Sequence, residues 1–193
     1  MLPILIIFAY LIGSISAAII VCKLLNLPDP RTQGSNNPGA TNVLRIGGKK
    51  AAAIVLLGDG LKGFIPVAIG QYLSLELGAL AWVALAAFLG HVYPIFFGFK
   101  GGKGVATFIG ALLGLNVLVG LAFVATWLFV AKVLKISSLS ALIATLLAPL
   151  YCYLLTNNLE ASYIVALIGV WIFFTHRSNI KRMISGEEDT IKS

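Results

Sequence analysis

Long apolar stretches follow one another along almost the whole chain, and they limit the folds that it can adopt. Of its 193 residues, 59% are hydrophobic and 11% are charged, whereas soluble domains carry about 25% charged residues. A transmembrane helix needs about 20 predominantly apolar residues. The sequence therefore predicts an all-α, polytopic integral membrane protein. It would form a single domain over residues 1–193, with seven transmembrane helices at about 2–24, 51–72, 77–97, 104–116, 117–134, 138–155 and 159–177.

The basic residues are distributed unevenly between the connections of these predicted helices. Every lysine and arginine except Lys62 falls on one side of the membrane, in the first, third and fifth connections and in the tail, which includes Lys192. Because cytoplasmic loops carry the excess of Lys and Arg, we expect the N-terminus outside and the C-terminus in the cytoplasm. The net charge of +7 follows from this bias. It does not indicate nucleic-acid binding, since no soluble basic domain carries it.

The fourth predicted helix, residues 104–116, is short for a bilayer crossing. It would measure about 20 Å at the rise of an α-helix, against a hydrocarbon core of about 30 Å. A re-entrant segment is the alternative, but six spans would place Lys132, Lys135 and the basic tail outside. The charges therefore favour a short true span. Such a helix thins the membrane or leaves a gap beside it, through which a lipid-like substrate could enter.

The first polar segment of the chain runs from Gly34 to Arg45, between the first two apolar stretches. Asn37 is a suitable N-cap, and Pro38 suits the first position of a helix. The glycine pair that follows Ile46 is a typical helix end. The sequence therefore predicts a short helix from about Pro38 to Ile46.

This first polar segment carries groups that bind an anion. A helix N-terminus exposes unpaired N–H groups and a partial positive charge. Ser35 and Thr41 add hydroxyl donors, and Arg45 adds a planar fork that matches phosphate. A capped surface loop between two membrane helices is the alternative, but such a loop does not need so many donors.

The second polar segment, residues 97–107, combines glycines with two lysines. Glycines allow a ligand to approach the backbone, and a new helix starts just after them. The segment is not a Walker A loop, because Phe97 stands where the opening glycine should be and Gly104 replaces Ser or Thr. A tight turn whose lysines lie among lipid headgroups is the alternative.

Ionisable residues also occur inside or beside the apolar stretches. Asp59 and Lys62 are three residues apart on one predicted helix and can pair with each other. A buried pair that fixes helix packing explains them better than chemistry does. His91 is predicted to be a packing or hydrogen-bonding residue. In the third polar segment, residues 175–182, His176 and Asn179 share a helix face at the cytoplasmic mouth.

Together these segments resemble the three signatures of the bacterial acyl-phosphate:glycerol-3-phosphate acyltransferases. The resemblance covers nearly the whole chain and lies in Gly34–Arg45, Lys100–Thr107 and His176–Arg182, with similar shorter segments at Gly58–Gly63 and Gly90–Pro94. Near the C-terminus, Gly186-Glu187-Glu188 stands where the family more often has Gly-Thr-Glu. Glu188 is the acid that matches the family pattern.

The resemblance implies a reaction. A fatty acyl group would pass from acyl phosphate to the 1-hydroxyl of glycerol 3-phosphate, giving 1-acyl-glycerol 3-phosphate (lysophosphatidic acid) and inorganic phosphate. This is the first acylation of phospholipid biosynthesis. The enzyme would lie in the bacterial cytoplasmic (inner) membrane, in contact with membrane lipid, with its active site facing the cytoplasm. We expect it to act as a monomer and to need no cofactor and no metal.

The resemblance also implies the residues of the site. The first signature would bind phosphate and acyl phosphate, and most of the catalytic set would bind glycerol 3-phosphate. The expected catalytic residues are Ser35, Arg45, Lys103, His176 and Asn179. The expected substrate- or phosphate-binding residues are Asn36, Asn37, Gly39, Thr41, Asn42, Gly101, Gly102, Gly104 and Thr107.

Two other functions fit parts of the pattern. A small membrane transporter of organic phosphate would also aim broken helices at an anion. It usually has an internal repeat and a path across the membrane, whereas the polar segments here gather on one side. A phosphatidyl-alcohol transferase would need clustered aspartates for a metal, and only Asp29 and Asp59 occur outside the tail.

Overall fold

The apolar stretches form α-helices in the computed structural model, which describes residues 1–191, and no strand occurs within that range. Lys192, part of the predicted basic tail, lies outside the described residues. The helices in chain order are α1 (Leu2–Gly13), α2 (Ala17–Leu24), α3 (Ala40–Tyr72), α4 (Leu77–Val92), α5 (Val105–Leu115), α6 (Val117–Leu134), α7 (Ser137–Thr156), α8 (Leu159–Thr175) and α9 (Arg177–Ile184).

Several of these helices are long and apolar enough to cross a membrane. Five segments meet this condition, namely Leu2–Leu24, Ala40–Tyr72, Leu77–Phe97, Val117–Leu134 and Ser137–Thr156. A sixth is added if α8 and α9, which are bent by 58°, count together, while α5 is apolar but shorter. The prediction of an all-helical membrane protein is confirmed. The count of seven crossings and their direction stay predictions.

The first predicted span is divided into α1 and α2 by a polar break. The hydroxyl of Ser14 donates to the carbonyl of Tyr10 at 2.8 Å. Ser16 then caps α2, its hydroxyl accepting from the N–H of Ile19 at 3.4 Å. Between them, the carbonyl of Ile15 accepts a hydrogen bond from the ammonium of Lys62 on α3, at 2.7 Å. The break is therefore tied to the neighbouring helix through the carbonyl of Ile15.

The predicted short helix from Pro38 to Ile46 is the first part of α3, but it starts later than expected. Gly39, not Asn37, is the N-cap residue, and no side chain caps this end. The N–H of Gly39 instead donates to the carbonyl of Asn37 at 2.9 Å, so these residues form a turn before the helix. The predicted glycine stop is present as a break at Gly48, where φ is 76° and ψ is −176°.

The tightest helix crossing joins α3 to α5, because glycines let the two backbones touch. Gly110 on α5 lies against the carbonyl of Gly60, and Gly63 on α3 lies against the carbonyl of Thr107, so a Cβ at either glycine would overlap backbone. Small residues allow this close approach between membrane helices. On its other side α5 contacts α6, where the rings of Phe108 and Phe123 meet edge to face with centroids 5.5 Å apart.

Candidate functional site

A cavity of about 560 Å³ opens where the three polar segments meet. Its wall has a polar part and an apolar part. The polar part is formed by Ser35, Asn37, Gly39, Thr41, Asn42, Arg45, Asp59, His91, Lys103, Gly104, Ser137, Ser138, His176, Asn179, Arg182, Glu188 and Asp189. The apolar part lies between α3, α5 and α6 and is formed by Leu56, Leu57, Leu61, Phe64, Ile109, Leu113, Val124, Trp127 and Leu128.

The structure brings together the five residues that were expected to be catalytic, since all of them line this cavity. It does not bring four of the expected binding residues to the wall. The N–H groups of Gly101 and Gly102 donate to the carbonyls of Val92 and His91, respectively, each at 3.2 Å, and are therefore occupied by the end of α4. Thr107 is fully buried, and Asn36 is exposed in a turn with a φ of 55°.

Asn42 lines the cavity, but its side chain mainly holds the first polar segment in shape. Its Oδ1 accepts from the N–H of Ser35 at 2.9 Å, and its Nδ2 donates to the carbonyls of Pro30 and Gln33, each at 2.9 Å. Gly34 passes so close to Asn42 Oδ1 that a Cβ there would overlap it. The polar atoms of Asn42 are thus occupied inside the loop, and their main effect is to position Ser35.

A network around Glu188 organises the cationic end of the cavity. The carboxylate accepts from Ser138 Oγ at 2.6 Å, from Asn179 Nδ2 at 2.5 Å and from Arg182 Nε at 2.8 Å. Asn179 Oδ1 in turn accepts from the ammonium of Lys103. The sequence pointed to Glu188 through the family pattern but missed Ser138 and Arg182 as parts of the site. Arg182 could have been found from its position one helical turn after Asn179.

The electrostatics of this end suit an anion. Burial lowers the pKa of Lys103 to about 8, and the nearby charges of Arg182 and Arg45 lower it as well, against the opposing charge of Glu188. The lysine is therefore charged at pH 7 and loses its proton as the pH rises through about 8. Burial would raise the pKa of Glu188, but hydrogen bonds from Ser138, Asn179 and Arg182 hold it below its ordinary value. The carboxylate thus stays ionised.

His176 is held in one orientation at the junction of α8 and α9. Its Nδ1 lies 2.8 Å from the carbonyl of Ile172. Because a carbonyl can only accept, Nδ1 carries the proton, and Nε2 of the neutral ring is an acceptor. Beside it, the hydroxyl of Thr175 lies within hydrogen-bonding distance of two carbonyls, that of Ile172 on its own helix at 2.9 Å and that of Lys103 in the second polar segment at 3.1 Å.

Curated relatives are similar to this chain over nearly its full length. The glycerol-3-phosphate acyltransferase of Ruthia magnifica subsp. Calyptogena magnifica is 69% identical over 188 residues, which cover 97% of this chain and 95% of the relative. The glycerol-3-phosphate acyltransferase of Hydrogenovibrio crunogenus is 58% identical over 185 residues, covering 95% and 88% of the two chains.

Solved structures are similar in both fold and sequence. The crystal structure of PlsY (YgiH), an integral membrane glycerol 3-phosphate acyltransferase in its glycerol 3-phosphate form, superposes with a TM-score of 0.94 at 39% identity, covering 99% of this chain and 96% of that one. Its lysophosphatidic acid form gives a TM-score of 0.91 at 39% identity, covering 98% and 94%. With a family model described as glycerol-3-phosphate acyltransferase matching residues 3–186, this chain belongs to the glycerol-3-phosphate acyltransferase family of membrane enzymes.

Proposed function

We propose that this enzyme transfers a fatty acyl group from acyl phosphate to the 1-hydroxyl of glycerol 3-phosphate. The products are lysophosphatidic acid and inorganic phosphate, and the reaction is the first acylation of phospholipid biosynthesis. One observation carries the proposal: a single cavity joins a cationic polar end to an apolar arm between α3, α5 and α6. A donor with both a phosphate and a long acyl chain matches both parts of that cavity.

The cationic end offers partners for the phosphates of both substrates. Arg45 and Arg182 present guanidinium groups, which match phosphate geometry, and Lys103 adds a point charge. Two crystal structures of PlsY, a relative of this chain, are named for its glycerol 3-phosphate and lysophosphatidic acid forms. The acceptor and the acylated product of the proposed reaction are therefore ligands of the same fold.

The reaction can proceed without a protein base. The 1-hydroxyl oxygen attacks the acyl carbon, the bond from that carbon to the phosphate oxygen breaks, and the proton passes to the departing phosphate. Holding the two substrates in attack geometry can supply several kcal/mol. In this proposal, His176 and Asn179 orient glycerol 3-phosphate, while Ser35 and nearby N–H groups stabilise the developing negative charge.

The proposal also covers the membrane face on which the site lies and the oligomeric state of the enzyme. The cavity includes Arg45, Lys103 and Arg182, which belong to the basic side that the positive-inside rule assigns to the cytoplasm. Glycerol 3-phosphate, a water-soluble metabolite, would then reach the site from the cytoplasmic face of the bacterial inner membrane. The enzyme would act as a monomer, because all three polar segments that carry the family signatures belong to one chain and meet at one cavity.

The donor is tested with the purified protein in detergent. We expect phosphate release and lysophosphatidic acid formation with acyl phosphate and glycerol 3-phosphate, and no acylation with acyl-CoA, because the resemblance is to the acyl-phosphate enzymes. EDTA should leave the rate unchanged, since the polar segments lack the carboxylate clusters that hold a metal. Comparable turnover with acyl-CoA, or loss of activity in EDTA, would contradict the proposal.

Replacement of His176 by glutamine tests whether the donor phosphate acts as the base. A protein base typically contributes 10²–10⁴-fold. We expect His176→Gln to raise KM for glycerol 3-phosphate and to lower kcat by less than about 100-fold, because the residue orients the acceptor. Because burial disfavours the protonated form of a histidine, the rate is measured from about pH 3 to pH 9 with both substrates saturating. A limb in the wild-type profile that the variant loses, together with a larger fall in kcat, would identify His176 as the base.

A further inference from the structure

Three ionisable side chains form a buried cluster between α3 and α4, and two of them, Asp59 and His91, reach the wall of the cavity described above. The ammonium of Lys62 lies 2.8 Å from Asp59 Oδ1, and His91 Nδ1 lies 3.7 Å from the same oxygen. Asp59, Lys62 and His91 are 1%, 5% and 6% exposed, respectively. The predicted pairing of Asp59 with Lys62 is therefore present, and the ring of His91 lies beside this pair. Charges buried at membrane depth are costly and are usually kept for a function.

The polar break between α1 and α2 holds one side of the cluster in place. Lys62 donates to the carbonyl of Ile15 at 2.7 Å, so its ammonium joins the carboxylate of Asp59 to the junction of α1 and α2. Buried charges are tolerated when they are paired and hydrogen-bonded in this way. Asp59 therefore presents a fixed carboxylate to the ring of His91.

His91 in turn supports the glycine loop, residues 101–104, which carries Lys103. Its carbonyl accepts from the N–H of Gly102 at 3.2 Å. The Cα of Gly102 packs so closely on the imidazole that a Cβ there would overlap Nε2, and the same Cβ would lie 3.0 Å from the carbonyl of Pro38. The ring edge, the glycine loop and the first polar segment thus meet at one point, one residue before Lys103.

We propose that Asp59, Lys62 and His91 are positioning residues for acyl transfer. They hold the glycine loop against Pro38 so that the Lys103 ammonium reaches Asn179 and the bound phosphate. This inference rests on the proposed function, in which Lys103 binds substrate phosphate. Asp59 and His91 reach the cavity wall, but Gly102 packs on the Nε2 edge of His91 and the ring is only 6% exposed. We therefore assign the cluster a positioning role that acts through the glycine loop.

A cluster that positions Lys103 and a cluster that only packs the helices predict different effects of neutral substitutions on activity. Replacing a buried ion pair by neutral side chains of similar volume is often harmless to stability, whereas removal of one partner leaves an unpaired charge. A pair that serves only packing therefore tolerates the joint variant Asp59→Asn with Lys62→Met. If the cluster positions Lys103, the joint variant folds but loses activity, and a displacement of about 1 Å can cost about 100-fold.

The experiment is a double-mutant cycle between this joint variant and Lys103→Gln. We measure kcat/KM for glycerol 3-phosphate and the thermal unfolding midpoint of all four proteins in detergent. In the presence of Lys103, the joint variant should lower kcat/KM about 100-fold. In the Lys103→Gln background it should lower kcat/KM less than threefold, because the effects of residues that act through one another are not additive. Thr126→Val is the matched control, because it removes a polar contact between helices that is not part of the cluster. The hydroxyl of Thr126 on α6 pairs with that of Tyr151 on α7 at 2.8 Å. This variant should change kcat/KM less than threefold.

Each result decides the matter. An equal fold-loss in both backgrounds, or a folded joint variant with unchanged kcat/KM, would overturn the inference while leaving the role of Lys103 intact. An unaltered kcat/KM in Lys103→Gln alone would overturn the proposed phosphate site, and the inference with it. If the joint variant does not fold, His91→Gln, which keeps the Asp59–Lys62 pair, takes its place in the same cycle with the same expected coupling.

Discussion

Arg45→Lys is expected to lower kcat/KM for glycerol 3-phosphate by well over tenfold, a loss of more than about 1.4 kcal/mol in transition-state binding. Lysine keeps the positive charge but cannot form the paired, parallel hydrogen bonds that guanidinium makes to phosphate. In the structure Arg45 lines the cavity and pairs with Asp189 at 3.1 Å. Both side chains are largely exposed, so this pair is weak and a phosphate can displace it.

Lys50→Ala is the matched control for Arg45. Lys50 lies on the same helix, beyond the break at Gly48, and its side chain is exposed and outside the cavity wall. It should leave kcat/KM nearly unchanged. Both variants are assayed by steady-state kinetics at saturating acyl phosphate. Equal losses in kcat/KM from the two substitutions would indicate that Arg45 serves only as a membrane anchor.

Gly110→Ala is expected to destabilise the fold by about 3 kcal/mol, at the upper end of the usual cost of overpacking. The new methyl group would overlap the carbonyl of Gly60 on α3. Because the obstacle is backbone and not a flexible side chain, the two helices must move apart. The loss should appear as a lower midpoint of thermal unfolding in detergent and as lower activity, since α3 and α5 together form the apolar arm of the cavity.

Gly60→Ala is the control at the same helix crossing. A Cβ at Gly60 would lie 3.8 Å from the carbonyl of Ala106, which is ordinary contact distance. Its unfolding midpoint should stay close to that of the wild type. If Gly110→Ala unfolds at the same temperature as Gly60→Ala, the crossing has room for a methyl group and the close-approach explanation is wrong.

The two-part cavity fits the two substrates of the proposed reaction, one of them water-soluble and the other lipid-like. Its cationic end is assembled from α3, the glycine loop before α5, the junction of α8 with α9 and the C-terminal segment at Glu188. Its apolar arm runs between α3, α5 and α6. Because α3 contributes to both parts, movement of α3 against α5 would disturb the alignment of phosphate and acyl chain together.

Features that depend on neighbouring residues were determined by the sequence itself. The apolar stretches required membrane helices, because a backbone without water must satisfy its hydrogen bonds internally. The Asp59–Lys62 pair followed from helical spacing, and the break at Gly48 from a glycine pair. The polar signatures were specific enough to indicate the family, and they named the five expected catalytic residues that line the cavity.

Tertiary structure decided which of the candidate donors remain available to a ligand. The N–H groups of Gly101 and Gly102 are consumed by carbonyls of the preceding helix end, and the amide of Asn42 is consumed by its own loop. Ser138 reaches Glu188 across 50 residues of sequence. The sequence pattern shows that a group can donate, but the choice of partner depends on which distant segments pack beside it. For that reason the site's outline could be predicted from the sequence, while the partners of Glu188 and His91 became evident only in the folded chain.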